Sequence, residues 1–86
     1  DLLRGRIIEA LMCDFRVDRA ELLRDFDTTP ERVDTLFRSA AAGFEDMVRI
    51  ENGVFTIPAK GRPLTRMIAR AFDAYDQTKA QHSAAV

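Results

Sequence analysis

The sequence predicts a mainly α-helical domain with one small β-hairpin, in the order helix, helix, helix, hairpin, helix. Three observations carry that expectation. Apolar residues recur at helical spacing through the first half, Asn52-Gly53 separates two short β-prone runs, and Pro63 stands before a last amphipathic stretch.

Each element has its own signal. Leu3, Ile7, Ile8, Leu11, Met12 and Phe15 fall on one side of a first helix over residues 2–14, with Arg6 and Glu9 opposite. Phe15, Arg16 and Val17 read as a short extended link. Asp18 followed by Glu21 is close to a capping box and opens a short second helix carrying Leu22, Leu23 and Phe26. Thr29 is the expected N-cap of the third helix and Pro30 its first residue. The third stripe is Val33, Leu36, Phe37, Ala40 and Phe44, with Gly43 as the expected stop. Residues 47–51 and 54–57 read as strands, and Asn52-Gly53 suits a type I′ turn because both positions need positive φ. Pro63 is expected to open the fourth helix, with Leu64, Met67, Ile68, Ala71, Phe72 and Tyr75 as its apolar stripe. After Thr78 the residues are small and polar, so the reading is one domain over 1–78 and a frayed tail over 79–86. The whole arrangement is winged-helix-like.

Composition narrows the function classes. With 86 residues there is room for one core. At 47% hydrophobic and 31% charged, the composition is that of a globular domain rather than a disordered one. No apolar run approaches the roughly 20 residues that span a bilayer. The chain begins at Asp1 rather than Met, with core-like Leu2 and Leu3 at once, which reads as a piece of a longer protein. Cys13 is the single cysteine, which excludes an internal disulfide and a multi-cysteine metal site and suits the cytoplasm. The net charge of −1 hides an asymmetry: residues 1–52 hold 8 basic and 12 acidic side chains, residues 53–86 hold 5 and 2.

Cys13 lies beside the first stripe with no neighbouring His, and is expected to be a small buried hydrophobe. His82 falls in the tail without a second ligand. Asp14, Asp18, Asp25 and Asp27 match neither an EF-hand loop nor a carboxylate dyad, and read as caps and solvated faces. No catalytic, cofactor-binding or metal-binding residue stands out in the chain. The residues that folding does not explain are Lys60, Arg62, Arg66 and Arg70. Arg66 and Arg70 share a helix side, where Asp73 can pair with Arg70, while Lys60 and Arg62 flank a helix start whose dipole is already positive. Cations there work against local stability, as happens where an anion or acidic partner is bound. Two readings stay open: pairing or snorkelling within the domain, or contact with a carboxylate-bearing partner. A nucleic-acid reading meets an obstacle. From Glu31 to Asp46 the would-be recognition helix and its end hold four acids against Arg32 and Arg38, and the hairpin adds Arg49 offset by Glu51.

The LMC-x-F stretch at Leu11–Phe15, the hairpin Gly53, GR-x-L-x-R at Gly61–Arg66 and FD-x-Y at Phe72–Tyr75 occur in order. In this the chain resembles the carboxy-terminal domain of the oxygen-independent coproporphyrinogen III oxidase family. The resemblance covers about Arg6 to Tyr75. It departs at Asp14, where the family commonly has Asn, and at Asn52, where an Asp often precedes the turn Gly. The complete motifs look more like the oxidase than like its haem-handling relatives. The resemblance implies a parent enzyme of the radical S-adenosylmethionine type, with a [4Fe–4S] cluster held by C-x3-C-x2-C in a catalytic barrel. Such an enzyme converts two propionates of coproporphyrinogen III to vinyl groups with loss of carbon dioxide, giving protoporphyrinogen IX. The cluster motif is absent from this chain, so it is expected to be non-catalytic alone and to pack against the barrel as a lid. Lys60, Arg62, Arg66 and Arg70 would then meet barrel acids or substrate propionates. The competing class is a winged-helix interaction or nucleic-acid-binding module without enzymatic role.

Overall fold

A computed structural model describes residues 2–73. Tyr75, the 79–86 tail and His82 lie outside the described residues. The elements are α1 (Leu2–Asp14), β1 (Arg16–Asp18), α2 (Arg19–Asp25), α3 (Pro30–Ala41), β2 (Arg49–Glu51), β3 (Val54–Thr56), a 3-10 segment (Ala59–Leu64) and helix α4 over residues 65–73. The expected order holds, with a strand added between the first two helices.

That strand corrects the reading of Phe15–Val17 as a plain link. β1 pairs antiparallel with β3, which also pairs with β2, so the sheet is three-stranded in the order β1-β3-β2. Val17 faces Phe55 across the pair and both are buried. Phe15 is not extended: its φ of 58° ends α1 in a left-handed residue whose N–H donates to the Leu11 carbonyl at 3.1 Å. Its own carbonyl accepts from Ile57 N–H at 2.8 Å, which seats the end of β3 against the end of α1.

The caps form largely as the sequence implies. Thr29 accepts from Arg32 N–H at 3.2 Å with Pro30 at the first turn. Asp18 caps α2, accepting from Ala20 N–H at 2.9 Å. Asn52 and Gly53 take φ of 53° and 77°, as a type I′ turn requires. Arg19 fixes this turn to the helices. Its N–H donates to the Gly53 carbonyl at 2.8 Å, and its Nη1 donates to both Asp34 oxygens at 2.7 and 2.8 Å. A Cβ on Gly53 would come within 2.9 Å of Arg19 Nε.

α3 stops at Ala41 with Ala42 as its cap, so Gly43 stands just past the helix as expected, and the chain turns on through Phe44 N–H to Ala41 carbonyl and Met47 N–H to Phe44 carbonyl bonds. Three boundaries differ from expectation. Both strands of the hairpin are shorter than read. Pro63 does not open α4; it sits inside the 3-10 segment, and the α-helix begins at residue 65. Gly61 explains the tight segment. It is buried, and a Cβ there would overlap the Met47 carbonyl oxygen and lie 3.2 Å from Ile57 Cγ2.

The core joins all layers. Phe37 of α3, Phe55 of β3 and Phe72 of α4 are fully buried and contact one another edgewise or tilted, with centroids 5.4, 5.6 and 6.4 Å apart. Ile7 and Leu11 of α1, Val33 of α3 and Ile68 of α4 close around them. Several stripe-edge residues lie outside this core. Leu2 is 84% exposed, Met67 57% and Met12 41%, against the expectation that each packs inward. Each sits at the flank of a stripe whose centre is occupied by branched or aromatic residues.

Candidate functional site

The four cations singled out in the sequence lie on one stretch of chain, and the fold treats them differently. Lys60 and Arg62 stand on the 3-10 segment, Arg66 and Arg70 on α4, and all four are exposed. None has an acidic partner among the described residues. Asp73 is not the partner of Arg70. It pairs with Arg4 Nε of α1 at 3.1 Å, which ties the two helices together and leaves Arg70 without an acidic partner among the described residues.

Arg66 and Arg70 edge a groove of about 270 Å³ between α1 and α4, lined also by Ile8, Met12, Ala69 and Asp73. Its floor is apolar because the flanks of two stripes meet there, with no third element among the described residues lining it. Two guanidinium groups beside apolar side chains suit a segment that offers carboxylates around an apolar residue. Arg62 is separate. Its guanidinium carbon lies 4.5 Å from the centroid of the Phe15 ring, a cation–π stack. For Arg62, then, snorkelling over the domain and facing outward both hold: one face rests on Phe15 and the side chain remains exposed. Lys60 makes no ion pair or side-chain hydrogen bond among the described residues.

The other candidates fall away. Cys13 is exposed rather than buried. Asp18 is a cap and Asp25 pairs with the neighbouring Arg24. Among the described residues no group of three or more His, Cys, Asp or Glu is placed to hold a metal ion. No helix among them is long and apolar enough to cross a membrane. The second groove, of about 280 Å³ between α3 and the hairpin, mixes Arg38 with Glu45 and assembles no basic surface for a phosphate backbone. Sequence reasoning missed the Phe15 platform under Arg62 and the contribution of Ile8 and Met12 to the groove. Both arise from contacts between the two ends of the domain, for which local periodicity carries no signal.

Fold and site together define a small, mainly helical domain with a three-stranded antiparallel sheet, carrying an arginine-edged groove and a stacked arginine on its surface. No family model matches the chain, and no solved structure matches it. Named relatives do. An oxygen-independent coproporphyrinogen III oxidase of Cereibacter sphaeroides is 51% identical over 76 residues, covering 88% of this chain and 17% of the relative. The protein of that name from Paracoccus denitrificans is 46% identical over 86 residues, covering 100% of this chain and 19% of the relative. One from Thermostichus vulcanus is 33% identical over 84 residues. The chain is homologous to one region of the oxygen-independent coproporphyrinogen III oxidases and spans about a fifth of the length of the curated relatives it matches.

Proposed function

We propose that this chain is the carboxy-terminal accessory domain of a cytoplasmic oxygen-independent coproporphyrinogen III oxidase. Its role there is to dock on and close the catalytic part of the same polypeptide. Identity of 44–51% with relatives of that name, running through 88–100% of the chain, carries the reading. The order of helices around a short sheet suits a winged-helix-like module used for contact rather than for chemistry.

In such an oxidase a [4Fe–4S] cluster and S-adenosylmethionine supply the radical that begins oxidative decarboxylation of the two propionates. The residues of this chain do not fit the cluster. A [4Fe–4S] cluster takes cysteine thiolates, and this chain has one cysteine. The cluster therefore belongs to another part of the polypeptide, and the contribution of this domain is positional.

That contribution falls to Lys60, Arg62, Arg66 and Arg70. Guanidinium groups bind carboxylates as a fork, and a partner that covers the apolar floor of Ile8, Met12 and Ala69 would exclude water and strengthen an ion pair formed at its edge. Acids of the catalytic part are the partners this surface suits, with substrate propionates as the alternative at the same cations. Arg66→Ala in the full-length enzyme tests the reading through turnover and through resistance of the domain to limited proteolysis. Loss of protease resistance at unchanged substrate affinity supports docking, and a loss confined to substrate affinity supports propionate contact. Unchanged values in both refute the proposal.

A further inference from the structure

The backbone at Arg62 is fixed by hydrogen bonds, and its side chain rests on an aromatic ring. Its carbonyl accepts from both the backbone N–H and the hydroxyl of Thr65, the latter at 2.7 Å. The preceding Gly61 is lodged against the Met47 carbonyl and donates its N–H to Pro58 at 2.8 Å. The guanidinium carbon itself lies over the Phe15 ring, 4.5 Å from its centroid.

The platform is unusual in its own backbone. Phe15 has a φ of 58°, a region that a residue with a Cβ seldom adopts and that Asn or Gly would occupy more easily. Bonds to Leu11 and from Ile57 keep it there. What the side chain supplies at that position is a ring, and one face of the ring carries Arg62. The N–H groups of Arg62 have no acceptor among the described residues and are left to donate to a ligand. Contact with the ring restricts the side chain beforehand, so less freedom is lost when it binds.

We propose that Arg62 is a preformed carboxylate-binding residue and that Phe15 is its positioning residue. The class of ligand follows from shape and charge: a planar guanidinium matches the two oxygens and single charge of a carboxylate. The inference rests on the reading that this face meets the remainder of an oxidase. Two sources offer the group there, a propionate of the substrate or an Asp or Glu of the same polypeptide.

The experiment uses the full-length enzyme with Arg62→Lys, Phe15→Leu and Phe15→Tyr, alone and with the first two combined. Two readouts separate the sources: KM against kcat for coproporphyrinogen III, and the rate at which a protease releases the domain. Arg62→Lys keeps the charge and removes the fork; Phe15→Leu keeps an apolar side chain and removes the ring. Each shifts the same readout about tenfold, as expected for loss of a charge-assisted hydrogen bond. The double variant is no worse than the singles, and Phe15→Tyr behaves as the parent. A KM shift at constant kcat assigns the propionate; faster release assigns the protein carboxylate. The proposal is overturned if Arg62→Lys moves neither readout, or if Phe15→Leu moves only the unfolding temperature. Arg62 is exposed, so its variant reports without loss of fold, and Phe15→Met replaces Phe15→Leu should the latter not fold. A parent without oxidase activity overturns the functional reading, and protease release then still decides on the carboxylate.

Discussion

Gly61→Ala is the sharpest single perturbation of this fold. The added Cβ would meet the Met47 carbonyl oxygen closer than the 3.0 Å that Cβ atoms respect, with the Met47 carbonyl carbon at 3.0 Å and Ile57 Cγ2 at 3.2 Å. The obstacle is backbone, so no rotamer change relieves it; either the 3-10 segment or the turn before β2 must move. Gly61 has no positive φ, so the penalty is steric rather than conformational. Forcing an extra methyl into a packed site costs about 1–3 kcal/mol, and a backbone obstacle places this one near about 3. In a domain of this size that lowers the unfolding midpoint by about 12–24 °C. Thermal unfolding of Gly61→Ala beside Gly43→Ala, where a Cβ meets nothing within 4 Å, measures it. A midpoint for Gly61→Ala within about 3 °C of the parent, equivalent to under about 1 kcal/mol, refutes the reasoning.

Other expected outcomes follow from the same contacts. Gly5→Ala, in the interior of α1 with open space at its Cβ, stabilises by about 1 kcal/mol in urea unfolding. Phe55→Ala removes the ring shared by Phe37 and Phe72 and costs about 4 kcal/mol, leaving a large unfolded fraction by circular dichroism. Cys13 is exposed and reacts completely with a thiol reagent under native conditions, whereas a buried thiol would wait for unfolding. Asp25 is held below the usual carboxylate range by its hydrogen bond from Arg24, so what it adds to stability is present above its ordinary value and is lost on acidification. Both groups are fully exposed, so Asp25→Asn gives a urea curve at pH 7 that overlays the parent's.

The parts of the fold legible in the sequence are those specified locally. Thr29-Pro30 caps α3, Asn52-Gly53 turns the hairpin, and the centres of the apolar stripes, Ile7, Leu11, Val33, Phe37, Ile68 and Phe72, form the core. β1 was not legible as a strand because three residues, Arg16–Asp18, owe their conformation to pairing with Val54–Thr56 far along the chain. The start of α4 was misplaced because Pro63 suits both a first helical turn and the 3-10 segment, and the choice is made by Gly61 against Met47. At stripe edges, burial depends on what covers them: Met12 and Met67 read as inward by spacing and Cys13 by the usual burial of a free thiol, and all three are exposed. The cations followed the same division. The excess of cations around the start of α4 was legible from charge alone, whereas whether acids of the domain pair with them was not. That Asp73 pairs with Arg4, that Arg66 and Arg70 edge a groove with α1, and that Arg62 rests on Phe15 required the tertiary structure.

On the proposed docking, the rest of the polypeptide covers the arginine-edged groove between α1 and α4. Met12 lines that groove and is 41% exposed in the domain itself. Its oxidation by hydrogen peroxide, followed by mass spectrometry, compares the 86-residue chain with the full-length protein. Several-fold slower oxidation of Met12 is expected in the full-length protein, with the protection lost in Arg66→Ala. Equal rates in the chain and the full-length protein would contradict it.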